Sequence, residues 1–293
     1  MIRLVYSNRT EELRSELGER LRLQQERDGA IIPVRVVVPS ANVERYVRLG
    51  VARAHGIAAN IECTRLTRFA ADLVTGASGE RIADATAIAA MALSIFLDDA
   101  TLVHPDFAGV RAYILGGGEE NDAMDARRVQ LASRVGRLFE EYTYSRGELL
   151  ESWRRGPSLG PERAQTEVWQ RRLWVDIFGE GGLTERRAAS GSPRIVPLHE
   201  AVAALDPDAC ALPTAVHVFA FSHIARGFHA MIERIARASE IFIYALSPCE
   251  GFWEDADASD PDALRLWGRP GREQVRALNA IARFDHDDRF VDP

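Results

Sequence analysis

Lysine is absent from this chain: all 36 basic residues are arginine. A phosphate-loop lysine, a Schiff-base lysine and a lysine general base are thereby excluded. Cysteine is nearly as scarce, with Cys63, Cys210 and Cys249 alone. Their odd number and wide separation give neither a disulfide framework nor a metal or redox spacing, so buried apolar roles are expected. No apolar run approaches the ~18 residues of a membrane span, and residues 1–9 lack the apolar core of a secretion signal. The expected setting is cytoplasmic, with no membrane partner. There is no excess of positive charge either. The net charge of −7 confines any nucleic-acid contact to a local groove.

What is present is an ordinary core-forming composition, 46% apolar and 27% charged over 293 residues. Residues 35–69 organise it as strand, helix, strand. Val36, Val37 and Val38 form a β-branched run that Pro39 ends, Ser40 and Asn42 are both able to cap the next helix, and Gly56 stops it. Open α/β sheets hold ligands at such polar turns, outside the carboxyl ends of their strands. Pro39, Ser40, Ala41 and Asn42 are therefore the first candidate site, against the plainer reading of a tight connection. Residues 2–6 alternate as a strand, and Asn8 with Glu11 fits a capping box for a helix running to about residue 24. A βαβ unit gathers its turns on one edge, so residues 6–8 and 39–41 are expected to be neighbours.

After residue 69 the apolar period becomes helical for over a hundred residues and no strand is expected. Helices are predicted over 85–97, over 106–115 ending at Gly116, Gly117 and Gly118, over 121–144, and from Pro161 past Ile177. Residues 178–193 read as a surface connection. Strands return at 216–221 and 241–246, separated by a helix over 224–238. The simplest architecture is α/β: one parallel sheet formed from residues 1–71 and 193–293, with an all-helical subdomain inserted at residues 72–192.

Several isolated signals carry little. Asp255, Asp257, Ser259 and Asp260 begin like a calcium loop, but Asp260 replaces the required glycine and Leu266 the required glutamate. Ser222 and His223 adjoin on a turn and lack an orienting acid for nucleophilic work. His217 on its strand reads as core, and His55 beside Gly56 suits a helix C-terminus. Cys63 with His55 lacks further metal ligands at usual spacing.

Residues 5–9 (VYSNR), 38–48 (VPSANVERYVR), 55–62 (HGIAANIE) and 138–146 (LFEEYTYSR) together resemble the RecC family, the gamma subunit of exodeoxyribonuclease V (RecBCD). Residues 218–224 (VFAFSHI), 246–255 (LSPCEGFWED) and 264–273 (LRLWGRPGRE) extend the similarity over nearly the whole chain. It corresponds to the amino-terminal part of a longer subunit, so a fragment is expected. The resemblance implies an inactivated superfamily 1 helicase-like domain of P-loop type that serves as a scaffold and DNA channel. The residues agree. Tyr6 to Thr10, where a helicase has its phosphate loop, contain neither glycine nor lysine, and the strand at 216–221 continues into Ser222, His223 and Ile224 without a magnesium-binding carboxylate. The resemblance thus implies no cofactor on this chain, with ATP and magnesium on RecB-like and RecD-like partner subunits and single-stranded or forked DNA as ligand.

Carried over by motif, the DNA-binding set is Pro39, Ser40, Ala41, Arg45, Arg65 and Arg68, then Arg137, Leu138, Glu140 and Arg146, and finally Arg194. Ala71 and Glu141 also align with channel positions. The resemblance also implies that channel residues read the Chi recombination signal; the family has Gln and Thr near Pro39 and Ala41, an aromatic near Ala71 and an acid at Arg137, and this chain departs from that pattern at each. The arginines suit phosphates or base edges, and Glu140 suits a cytosine amine or an arginine. Equally, Arg137 and Arg146 suit surface pairing with Glu140, Glu141 or Glu148. Tyr142 shares a face with Leu138 and Phe139 and reads as core. An active ATP-driven helicase domain and a docking module without DNA contact are the alternatives.

Overall fold

The computed structural model describes residues 1–116, 121–157, 159–248, 250, 253–255, 261, 262, 266, 268–282 and 286–291. Gly117, Gly118, Cys249 and residues 257–260, including Asp257, Ser259 and Asp260, lie outside that set. The chain divides into two compact units, Met1–Ala77 with Asp206–Pro293, and Ser78–Leu205.

The first unit begins β1 (Ile2–Ser7), α1 (Thr10–Asp28), β2 (Val34–Val37), α2 (Ala41–His55), β3 (Ile61–Thr64) and α3 (Leu66–Ser78). The second holds β4 (Arg81–Ile82), α4 (Ala85–Phe96), α5 (Asp99–Leu102), α6 (Ala108–Leu115) and α7 (Asn121–Ser145). It continues with α8 (Gly147–Arg155), α9 (Ala164–Phe178), α10 (Leu183–Ala189), β5 (Ile195–Val196) and α11 (Leu198–Ala204). The first unit then resumes with β6 (Ala215–Phe219), α12 (Arg226–Ile235), β7 (Glu240–Leu246), α13 (Arg269–Ala282) and β8 (His286–Asp288).

Six parallel strands form the sheet of the first unit in the order β3-β2-β6-β7-β1-β8. The turns after β1 and β2 are consequently not neighbours, contrary to the simple βαβ expectation, because β6 and β7 stand between those strands. Both intervening strands are buried almost throughout, as central strands of a parallel sheet covered on both faces must be. Their continuous apolar character takes the middle of the sheet although they come late in the chain. Leu13, Leu17 and Leu21 of α1 and Val47 and Val51 of α2 pack with Val36, Phe219 and Tyr244 in one core.

Local capping follows the sequence at α2 and departs from it at α1. Ser40 Oγ accepts the Val43 N–H at 3.3 Å, and Gly56 closes the helix at φ 82°. Asn8 does not cap α1. Its side chain instead donates to Val291 O at 2.8 Å and accepts from Val291 N at 3.1 Å, a long-range pairing that outcompetes the expected capping box.

In the second unit Phe96, Phe107, Phe139, Trp153 and Trp174 centre the core. A Cβ at Gly136 of α7 would stand 2.3 Å from Ala85 O, so glycine permits the close approach of α4. Two sequence expectations change here. Strands are not absent, since β4 pairs in parallel with β5, and α10 forms within the expected surface connection. Its turn is fixed where Thr184 Oγ1 donates to Ile177 O at 3.1 Å. Cys63 and Cys210 are half-buried and free, not fully buried as expected.

β6 ends because Ala220 takes a left-handed conformation, φ 57°, while its N–H still bonds Tyr244 O at 3.0 Å. Such a conformation costs a non-glycine residue about 1–2 kcal/mol. Offset by the entropy that glycine loses on folding, Ala220→Gly should stabilise the chain by about 0.5–1 kcal/mol. Urea unfolding read by circular dichroism checks it. A destabilised variant would contradict the strain.

Candidate nucleic-acid interface

Because every strand in the first unit's sheet is parallel, the turns after β1, β2, β3, β6 and β7 all open on its carboxyl edge. Val38 N donates to Thr64 O at 2.8 Å, tying the turn after β2 to the turn after β3. Pro39 and Ala41 are exposed and Ser40 is half-buried at its cap. Arg45, one turn into α2, is exposed and has no ion-pair partner among the described residues. Arg65 is half-buried, with its guanidinium 3.6 Å from Glu44, which also pairs with Arg48 at 3.2 Å. Arg68 is exposed and pairs with Asp72 at 2.9 Å, while Ala71 is half-buried. Burial raises the Cys63 thiol above its ordinary range, against the opposing charges of Arg48 and Arg65.

Sheet topology places a crevice beside this group. After β2 the chain runs outward through α2 to β3, whereas after β6 it runs the opposite way through α12 to β7. Adjacent strands whose connections diverge leave a cleft at their carboxyl ends, where open α/β sheets hold ligands. The cleft here has a volume of about 430 Å³ and is walled by Val38, Pro39, Arg65, Phe221, His223 and Phe228. Pro39 and Arg65 from the sequence-derived set come together there. Phe221, His223 and Phe228 were missed, since β6 was not known to lie next to β2. An aromatic residue just beyond an apolar strand was the available signal.

A second cleft, of about 350 Å³, lies at the carboxyl ends of β1, β6 and β7, lined by Asn8, Thr10, Ser222, Ser247 and Gln274 among others. Phe221 borders both clefts. The β1 turn beside this one is committed to internal bonds: Arg9 N donates to Ser7 Oγ at 3.0 Å, Ser247 N to Ser7 O at 2.9 Å, and Asn8 to Val291.

The remaining candidates belong to the second unit. Arg137 is exposed on α7, without an ion-pair partner among the described residues. Leu138 packs against the core. Glu140 accepts the Ala85 N–H at 3.1 Å, which places its carboxylate at the start of α4. Tyr144 beside it is raised above the usual phenol range, first by burial and then by Glu140. Glu141 is exposed. Arg146 does not pair with Glu148; it lies 5.2 Å over the Tyr142 ring, which packs against Phe139 and Trp153 in the core. Arg194 pairs with Glu80 at 3.2 Å, and its carbonyl accepts from Arg81 at 2.8 Å.

Among the described residues one cluster has metal-ligating chemistry. Glu151, His199 and Glu200 offer three ligand atoms within 4.8 Å of one another. Burial lowers the His199 pKa and raises that of Glu200. Arg154 already supplies a cation to Glu200, so the charge this group needs is provided by the protein.

The structure thus defines an α/β domain whose parallel sheet opens two clefts at its carboxyl edge, accompanied by a largely helical unit. Among known families, residues 2–287 match RecC, N-terminal domain, and the chain belongs to that family. It is 25% identical to the RecBCD enzyme subunit RecC of Escherichia coli (strain K12), over 90% of this chain and 23% of that protein. It is 23% identical to the RecBCD enzyme subunit RecC of Haemophilus influenzae, over 78% of this chain and 22% of that protein. The chain therefore spans under a quarter of the length of the curated relatives it matches. No described helix is long and apolar enough to cross a membrane.

Proposed function

We propose that this chain forms an amino-terminal scaffold and single-strand channel domain of a RecBCD-type exodeoxyribonuclease V complex, acting in recombinational repair of DNA breaks. The RecC N-terminal match over residues 2–287 carries the reading. RecB-like and RecD-like subunits are its partners and hold the ATP and magnesium. The first unit is a superfamily 1 helicase-like core that has lost its phosphate loop, and the second unit is its insertion. In support, the turns after β1 and β6 border one cleft on either side of β7, where such a core would hold its nucleotide. Asn8, bonded to Val291, stands in place of a glycine cradle there. The single strand lies instead along the arginine-bearing turns of β2 and β3, and Arg137, Glu140, Arg146 and Arg194 of the second unit are further DNA contacts.

Fluorescence anisotropy of the 293-residue chain with a labelled single strand tests this across a salt series. Arg45→Ala and Arg65→Ala should each weaken binding and flatten the log–log salt slope by about 0.7, the increment for one lost phosphate contact on single-stranded DNA. Unchanged affinity and slope in both variants would remove the assigned channel.

A further inference from the structure

We propose that the cleft between β2 and β6 is a nucleobase pocket, in which Phe221 stacks on an unstacked base while Arg65 and His223 face the flanking phosphates. The proposal rests on the single-strand reading and adds a wall, the turn after β6, that the carried-over DNA-binding set does not include.

Three observations lead to it. First, the cleft lies at a divergence of the strand connections, so its position follows from the sheet order and not from local turn chemistry. Second, its lining is divided by character. Val38, Leu66, Ile224 and Phe228 make an apolar floor, all of them buried, whereas Arg65 and the exposed His223 supply polar groups. An aromatic platform beside basic side chains is the recognised means of holding a single strand without a sequence code, since every base offers a π-face. Third, the backbone is bent to place the aromatic residue there. The left-handed Ala220 ends β6 one residue before Phe221, which remains half-buried between the two clefts and is not absorbed into the core. Strain of this kind persists where the surroundings fix it and concentrates at binding sites. At about 430 Å³ the cleft has room for a base.

The test compares the 293-residue chain binding labelled oligothymidylate with its binding to an abasic strand of equal length. Phe221→Ala should weaken oligothymidylate binding about tenfold, within the range for stacking of one base on an aromatic side chain, and leave abasic binding unchanged. Phe221→Trp should bind like the parent. Phe221→Leu, which preserves apolar packing and guards against a folding defect, should lose as much as alanine. If Phe221→Leu binds oligothymidylate like the parent, or the alanine variant loses equally on both strands, the pocket is overturned. Should Arg45→Ala weaken both strands while Phe221→Ala weakens neither, the channel stands and the pocket falls. If the unaltered chain binds neither strand, both readings fall.

Discussion

Replacing Glu167 with alanine should destabilise the chain by about 2–4 kcal/mol, the scale for leaving two N–H donors without their charged acceptor in a buried site. Glu167 is 1% exposed on α9. Its Oε1 accepts the indole N–H of Trp153 at 2.9 Å, and its two oxygens accept the Leu159 N–H at 3.1 and 3.0 Å. Trp153 is itself fully buried, so alanine leaves that N–H without an acceptor and opens a cavity beside it. Glu167→Gln keeps one acceptor oxygen and should lose less, about 1–2 kcal/mol. The consequence reaches the candidate interface of the same unit. Trp153 packs edge-on to Tyr142 at 6.1 Å, and Tyr142 carries the Arg146 guanidinium. Urea unfolding monitored by tryptophan fluorescence measures the loss. A Glu167→Ala chain within about 1 kcal/mol of the parent would show that water replaces the carboxylate without penalty.

What could be read from the residues was local. The Val36 to Val38 run, the Ser40 cap and the Gly56 stop lie within a few positions of their partners, and each is found as expected. The helical face of Leu138, Phe139 and Tyr142 was equally readable, because its period is a property of one helix. Strand order was not, since apolar runs identify strands without naming their neighbours. β6 next to β2 is a pairing across some 180 positions, and it is this pairing that creates the Pro39 and Phe221 cleft. The end of β6 was hidden for a different reason. His217 apart, residues 216–221 are apolar, and alanine at 220 gives no sign of a left-handed turn, so the expected strand runs two residues past the observed end. Side-chain partners were the least accessible. Asn8 had a local cap available and took Val291, and Glu140 met the N–H of Ala85, 55 positions away. For the candidate site this means that individual basic residues were visible, but not the wall facing them.

Acid should weaken the first unit through His217. This residue is buried at the centre of β6, with Nδ1 2.9 Å from the Tyr244 hydroxyl and Nε2 3.0 Å from Gln24 Oε1. Burial, aided by the nearby Arg20 charge, lowers its pKa from 6.5 to about 3. In the unfolded chain the imidazole titrates near 6.5, so between that pH and about 3 the unfolded state carries a proton that the folded state refuses. Stability from the neutral imidazole is therefore complete above pH 6.5 and is lost as the pH falls toward 3, at about 1.4 kcal/mol per unit. From pH 7 to pH 4.5 the expected loss is roughly 2–3 kcal/mol. Carboxylates also titrate in this window, so the measurement is a difference. His217→Gln removes the titrating group, and its unfolding free energy should fall less steeply with acid than the parent's, by that amount. Parallel pH profiles for the two chains would mean that His217 takes up its proton within the fold. Because the turn that follows β6 borders both clefts, the same acid range should loosen the edge that carries Phe221.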